Sequence, residues 1–206
     1  MPVFVKGDRG LLFAHIPKTG GSSIEKHLQR GGWKMYHHDG RVGKGTSNYF
    51  NWCTPQHMHG EMLEQSFRLA RFSARFAVVR NPIARFQSEY AWRLGRGVDV
   101  SSDAVEKWGY GVLDRFNSNP FILGNHIRPQ VEFLVGDMEV YRFEDGLDGA
   151  MSRLNTKFSL NVGSSVGRER TSDDSSGVSS SAVEVSQRLE DRLREFYKAD
   201  FQAFGY

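Results

Sequence analysis

The stretch Leu11-Leu12-Phe13-Ala14-His15-Ile16-Pro17-Lys18-Thr19-Gly20-Gly21-Ser22-Ser23-Ile24 decides how this chain of 206 residues is read. A short apolar run stops at Pro17, and Lys-Thr-Gly-Gly-Ser-Ser leads straight into a helical pattern carried by Ile24, His27 and Leu28. That is the layout of an anion cradle. A strand delivers the chain, glycines let the backbone come close to an anion, and the new helix offers unpaired N–H groups at its positive dipole end. Lys18 adds a point charge, and Thr19, Ser22 and Ser23 add hydroxyl donors. A plain turn with serine as N-cap accounts for Ser22 or Ser23 alone. It does not account for a lysine, Gly20, Gly21 and three hydroxyl residues together. The lysine precedes the glycines, whereas in the Walker A pattern it follows them.

A second segment reads independently. Phe76-Ala77-Val78-Val79-Arg80-Asn81-Pro82-Ile83-Ala84-Arg85-Phe86-Gln87-Ser88-Glu89-Tyr90 is a buried strand, a polar corner with proline in the first helical turn, then an amphipathic helix. Arg80 closes the strand and Ser88 lies on the helix. A planar guanidinium grips phosphate oxygens bidentately, and a hydroxyl supports it.

The order His-Ile-Pro-Lys-Thr-Gly-Gly-Ser-Ser resembles the 5′-phosphosulfate loop of sulfotransferases that use 3′-phosphoadenosine 5′-phosphosulfate (PAPS). Its form is similar to that of the carbohydrate branch, which includes heparan 2-O-sulfotransferases and chondroitin sulfotransferases. The resemblance lies mainly between Leu11 and Tyr90, with weaker echoes towards the C-terminus. It implies PAPS as co-substrate without a metal, Lys18, Thr19, Gly20, Gly21, Ser22 and Ser23 around the 5′ end of the donor, and Arg80 with Ser88 on the 3′-phosphate. Lys18 then also stabilises the charge that builds on the leaving phosphate. The pair in Pro55-Gln56-His57-Met58-His59-Gly60 resembles the His-x-His of uronyl 2-O-sulfotransferases. There the second histidine is the base, so the resemblance gives that role to His59 with His57 as helper. On an extended segment the two would point to opposite faces. The piece Asn125-His126-Ile127-Arg128-Pro129-Gln130 is also similar to family segments, so Arg128 and Gln130 are expected to orient the acceptor; a turn fixed by Pro129 is the other reading.

Alternating strands and helices predict a single α/β domain over 1–206: a P-loop-like parallel sheet with helices on both faces and the ligand at the carboxyl ends of its strands. The expected strands are 10–16, 33–37, 75–80 and 138–143. The expected helices are 22–31, 61–71, 82–95, 104–116 and 146–155, with one terminal helix over 183–204. Ser164 to Ser181 is rich in serine, glycine and aspartate and reads as a mobile loop. In related enzymes a loop in this part of the chain folds over the nucleotide, which makes Arg168 a further donor-binding residue. Gly43-Lys44-Gly45-Thr46 superficially matches a nucleotide-kinase cradle, but no apolar strand leads into it, so it is read as a flexible loop.

Composition bounds the rest. A formal charge of +3 suits an acidic ligand, while the lack of zinc-finger spacing or a long Lys/Arg block argues against nucleic acid. No apolar run is long enough to span a bilayer. A single cysteine, Cys53, points to a reducing compartment. With the first strand beginning within about a dozen residues of Met1, the chain reads as a soluble cytoplasmic protein of bacterial type; the alternative is a luminal domain of a Golgi enzyme. The acceptor is expected to be a glycan or small hydroxylated molecule, with oligomeric state open. Two competing functions stand beside this one: a P-loop kinase or NTPase, and a non-catalytic nucleotide- or glycan-binding module.

Overall fold

The computed structural model describes residues 3–163, 165–167 and 177–206. Its centre is a five-stranded sheet of β1 (Val3–Lys6), β2 (Arg9–Ala14), β3 (Lys34–Tyr36), β4 (Ala74–Val79) and β5 (Glu139–Arg142), in the order β3-β1-β2-β4-β5. The strands β2, β4 and β5 run parallel, as the alternation of elements predicts. The other two do not. β1 pairs antiparallel with both β2 and β3, so the sheet is mixed, with a hairpin on one side. Lys6 pairs with Arg9, leaving Gly7-Asp8 as a two-residue turn with Gly7 at φ 61. Such a turn suits a hairpin because a glycine enters the left-handed region without a Cβ clash.

Seven α-helices are present among the described residues: α1 (Gly21–Arg30), α2 (Gly60–Ser66), α3 (Pro82–Leu94), α4 (Ser102–Ser118), α5 (Leu147–Phe158), α6 (Gln187–Phe196) and α7 (Lys198–Phe204). The expected terminal helix is thus two helices, broken at Tyr197 (φ −98, ψ 20). Side chains alternate across the two central strands, as the pleat requires. Leu11, Phe13, Phe76 and Val78 share one apolar cluster with Ile24 and Leu28 of α1 and Met151 and Leu154 of α5. Leu12, Ala14, Ala77 and Val79 share another with Leu63 of α2, Phe133 and Val135. A third cluster joins α3, α4 and α6 through Phe86, Tyr90, Val112, Leu189 and Leu193. Both sheet faces are therefore covered, and the chain can leave the sheet for ligand binding only at its ends. Neighbouring strands β2 and β4 end side by side, with Ala14 opposite Ala77, so the loops 15–20 and 80–81 open at the same carboxyl edge.

Candidate active site

A cavity of about 1040 Å³ lies at that edge, at the upper end of the roughly 300–1,000 Å³ usual for ligand pockets. Lys18, Gly20, Gly21, Ser22, Ser23, Arg80 and Ser88 all line it. The cradle begins with a backbone that few residues adopt: Lys18 has φ 68 and Gly20 φ 85. For a non-glycine residue this costs about 1–3 kcal/mol and persists only where its surroundings hold it. Here the Arg80 guanidinium donates through Nη1 to the Lys18 carbonyl at 3.3 Å, and Thr19 Oγ1 donates to the Ile16 carbonyl at 2.8 Å. Thr19 is fully buried, so its hydroxyl shapes the loop and does not reach the cavity. No side chain caps α1, and its first turn carries no acid, which leaves the helix N-terminus to a ligand.

Glycine is required at position 21 for a reason outside the loop. A Cβ there would fall 2.0 Å from His15 Nε2. His15 is itself fixed, its Nδ1 donating to Glu25 Oε1 at 2.5 Å, with both side chains buried. Burial would raise the Glu25 carboxyl, but His15 and His38 hold it below its ordinary value.

Lys18 is crowded by charge. Its Nζ stands 4.7 Å over the Trp92 ring. Burial, followed by Arg80 and Arg93, lowers its pKa to about 8, while Glu89 opposes them. Glu89 is the buried anion behind the cavity, accepting from Arg93 Nε at 2.9 Å and from His126 Nδ1 at 2.7 Å. Despite burial, His126, Arg93 and Lys18 keep it ionised below the usual carboxylate range.

Three imidazoles then meet in one row. His57 stands edge-on to His15 and to His126, each at 4.8 Å between ring centroids. His126 stacks on Trp92 at 5.2 Å. His57 Nδ1 faces the His15 carbonyl at 3.1 Å, and a carbonyl only accepts, so Nδ1 carries the proton. Glu89 behind His126 fixes the same tautomer there, leaving Nε2 as the lone-pair nitrogen. Burial, with His126 and His15 adding, pushes the His57 pKa well below 6.5; burial also lowers His126, against Glu89.

Several sequence expectations require correction. His59 does not line the cavity: its ring packs at 5.6 Å against Phe121, its Nδ1 is buried without a partner, and Glu61 Oε2 lies 3.9 Å from Nε2. The chain turns through a short 3-10 segment at Pro55–His57, and this brings His57, not His59, to the cavity. Arg128 is turned inward, donating to Asn125 Oδ1 and the Pro120 carbonyl, both at 3.0 Å, and pairing with Glu132. Gln130 is fully buried, and its amide accepts from Arg80 N at 2.9 Å while donating to Arg80 O at 2.8 Å. Neither lines the cavity. Gln130 instead pairs with the backbone of Arg80, which does, as a neighbouring strand would. Arg168 lies outside the described residues. Of the serine-rich segment, Val166, Gly167, Ser179 and Ser180 line the cavity.

A family model described as the sulfotransferase family matches residues 1–206. The chain belongs to the sulfotransferase family. No curated protein and no solved structure matches it. Membership carries the P-loop-like fold and, in general terms, sulfuryl transfer to a hydroxylated acceptor. For this sulfotransferase, sequence reasoning missed Glu89 and His126 as members of the site. A signal existed for the first: Glu89 lies beside Tyr90 and three residues after Phe86, on the apolar stripe of α3, where an unpaired acid would not be tolerated. Among the described residues no helix is long and apolar enough to cross a membrane, and no group of three or more His, Cys, Asp or Glu side chains could hold a metal ion.

Proposed function

We propose that this sulfotransferase takes its sulfuryl group from PAPS, and that His57 is the base that receives the acceptor's proton. One observation carries the reading: Lys18 and Arg80 are in contact, line the same cavity, and stand at the ends of adjacent parallel strands. Two cationic side chains lining one cavity suit two ends of one small bisphosphorylated nucleotide. The cradle at Lys18 and Gly20 to Ser23 takes the 5′ end, and Arg80 with Ser88 takes the 3′-phosphate.

The donor supplies a sulfuryl group on a 5′-phosphate leaving group. His57 Nε2 accepts the proton of the attacking hydroxyl as the new O–S bond forms. The S–O bond to phosphate breaks, and its electron pair leaves on the phosphate oxygen, where the Lys18 ammonium balances the charge. A buried imidazole with a lowered pKa is neutral at physiological pH and therefore ready to accept.

Calorimetric titration with 3′-phosphoadenosine 5′-phosphate, beside ATP with magnesium, tests the donor. The expected result is binding in the micromolar range, on the order of −8 kcal/mol, for the first and little for the second. Arg80→Ala should weaken it roughly 10- to 150-fold, the equivalent of about 1.5–3 kcal/mol for a charged hydrogen bond. Preference for ATP with magnesium would establish the kinase reading instead, and binding without any transfer activity would establish the binding module.

A further inference from the structure

We infer that the acceptor is an uncharged saccharide that lays one ring on Trp52, and not a uronate-bearing polyanion; this rests on the donor reading above. The cavity has two chemically different sides. The donor side carries Lys18 and Arg80, and Arg93 adjoins the other side, where its Nη2 donates to the Leu123 carbonyl at 3.4 Å and pairs with the buried Glu89 at 2.7 Å. The opposite wall is built by residues 38–57 and 123–126, and none of its lining residues is a lysine, arginine, aspartate or glutamate. It presents amides and apolar groups instead, chiefly Asn51, Gln56, Val42, Trp52 and Leu123.

The charges nearest in sequence do not alter this. Arg41 is held by Asp39, with Nε and Nη2 each at 2.9 Å from its carboxylate, and neither residue lines the cavity. Lys44 is exposed and also absent from the lining. On the wall, His38 Nε2 faces Glu25 at 3.7 Å, and burial keeps His57 and His126 uncharged near neutral pH.

Trp52 is the unusual member. It is 73% exposed, yet its ring is mounted: one face stacks on Phe121 at 5.3 Å and 28°, and Arg128 holds Phe121 from 5.1 Å. A fixed, uncovered indole at the mouth of a catalytic cavity is a platform. A pyranose ring presents weakly positive C–H groups on its face, which suit the electron-rich indole face. Its rim of hydroxyls needs both donors and acceptors. Gln56 Nε2 and Asn51 Oδ1 supply one of each, since the partners of these amides engage Gln56 Oε1 and Asn51 Nδ2. A polyuronate would bring carboxylates against a wall whose one adjoining cation, Arg93, is already paired with Glu89, so little replaces their water, an unfavourable transfer.

The test uses the full chain saturated with 3′-phosphoadenosine 5′-phosphate. Neutral cello- and xylo-oligosaccharides, and separately unsulfated chondroitin and heparosan, are titrated by saturation-transfer NMR and assayed for sulfation with PAPS. Neutral saccharides are expected to bind and accept sulfate, with an affinity that hardly changes between roughly 50 and 300 mM salt. Trp52→Ala should weaken their binding at least about tenfold and raise KM while nucleotide affinity holds, and Trp52→Phe should recover most of the loss. Tighter binding or faster sulfation of the polyuronates, no binding of any neutral saccharide, or indifference to Trp52→Ala overturns the inference. Failure of the nucleotide to bind in the first place sinks the donor reading instead, so the two failures are told apart.

Discussion

Lys18 has a lowered pKa because burial and two arginines, Arg80 and Arg93, disfavour its charge more than Glu89 supports it. On the proposed donor reading the charged form meets an anionic donor, so donor capture is expected to fall as pH rises through about 8. The kcat/KM profile for the donor, which reports the free enzyme, should therefore fall on its alkaline side near that value. Lys18→Arg has no group titrating there, and its residual activity should lose that limb. A limb unchanged in Lys18→Arg would exclude Lys18 as its source. On the acid side, His57 must be neutral to accept a proton, and its lowered pKa places that limb below pH 6.5. His57→Ala is expected to reduce kcat by about 10²–10⁴-fold with nucleotide binding kept, while His59→Ala, which removes contacts to Phe121 and Glu61 outside the cavity, retains transfer. The reverse ranking would return the base to His59.

At the scale of elements, the cradle is a joint between β2 and α1 in which each part fixes the next. Glu25, one turn into α1, holds His15 at the end of β2, and His15 in turn fills the space over Gly21. Gly21→Ala leaves the helix propensity intact or better, so a purely local view forecasts a gain. The contact forecasts the opposite: a Cβ 2.0 Å from the imidazole must displace His15. A loss of about 1–3 kcal/mol by denaturant unfolding is expected, the usual range for overpacking, with weaker nucleotide binding. A stabilised variant with full affinity would show that His15 moves freely. The same joint explains why Thr19 could be named from the sequence but not its task. Its position in the loop was legible, whereas its hydroxyl is committed to Ile16 O only because the loop turns through a left-handed Lys18.

Across the whole molecule, the site depends on a helix far away in the chain. Asp200 of α7 is fully buried and accepts from Gln130 N at 2.8 Å, Val131 N at 2.9 Å and Gln130 Nε2 at 3.3 Å. Gln130 then brackets the backbone of Arg80. Tyr197 adds a hydrogen bond to the Ile127 carbonyl at 2.8 Å, and Arg85 ties the carbonyls of His126 and Arg128 to α3. Asp200→Ala strips the partner from buried N–H groups, each worth about 1–3 kcal/mol when left unsatisfied. Thermal or denaturant unfolding should register that loss, and nucleotide affinity should fall with it as Arg80 loosens; intact affinity would mean that the clamp does not reach the site. The amino-acid sequence by itself determined the layered α/β order, the cradle from Lys18 to Ser23 and the strand-closing Arg80, because these depend on local periodicity, glycine and proline placement, and neighbouring residue types. Only the tertiary structure decided which polar side chains reach the cavity. His57 enters while His59 leaves, and His126 joins with Glu89 buried behind it, while Arg128 and Gln130 turn inward. The physical reason is that, Arg128 apart, whose partners lie 3 to 8 residues away, these choices are made by partners 37 to 70 residues away, whose hydrogen bonds and ring contacts no local pattern encodes.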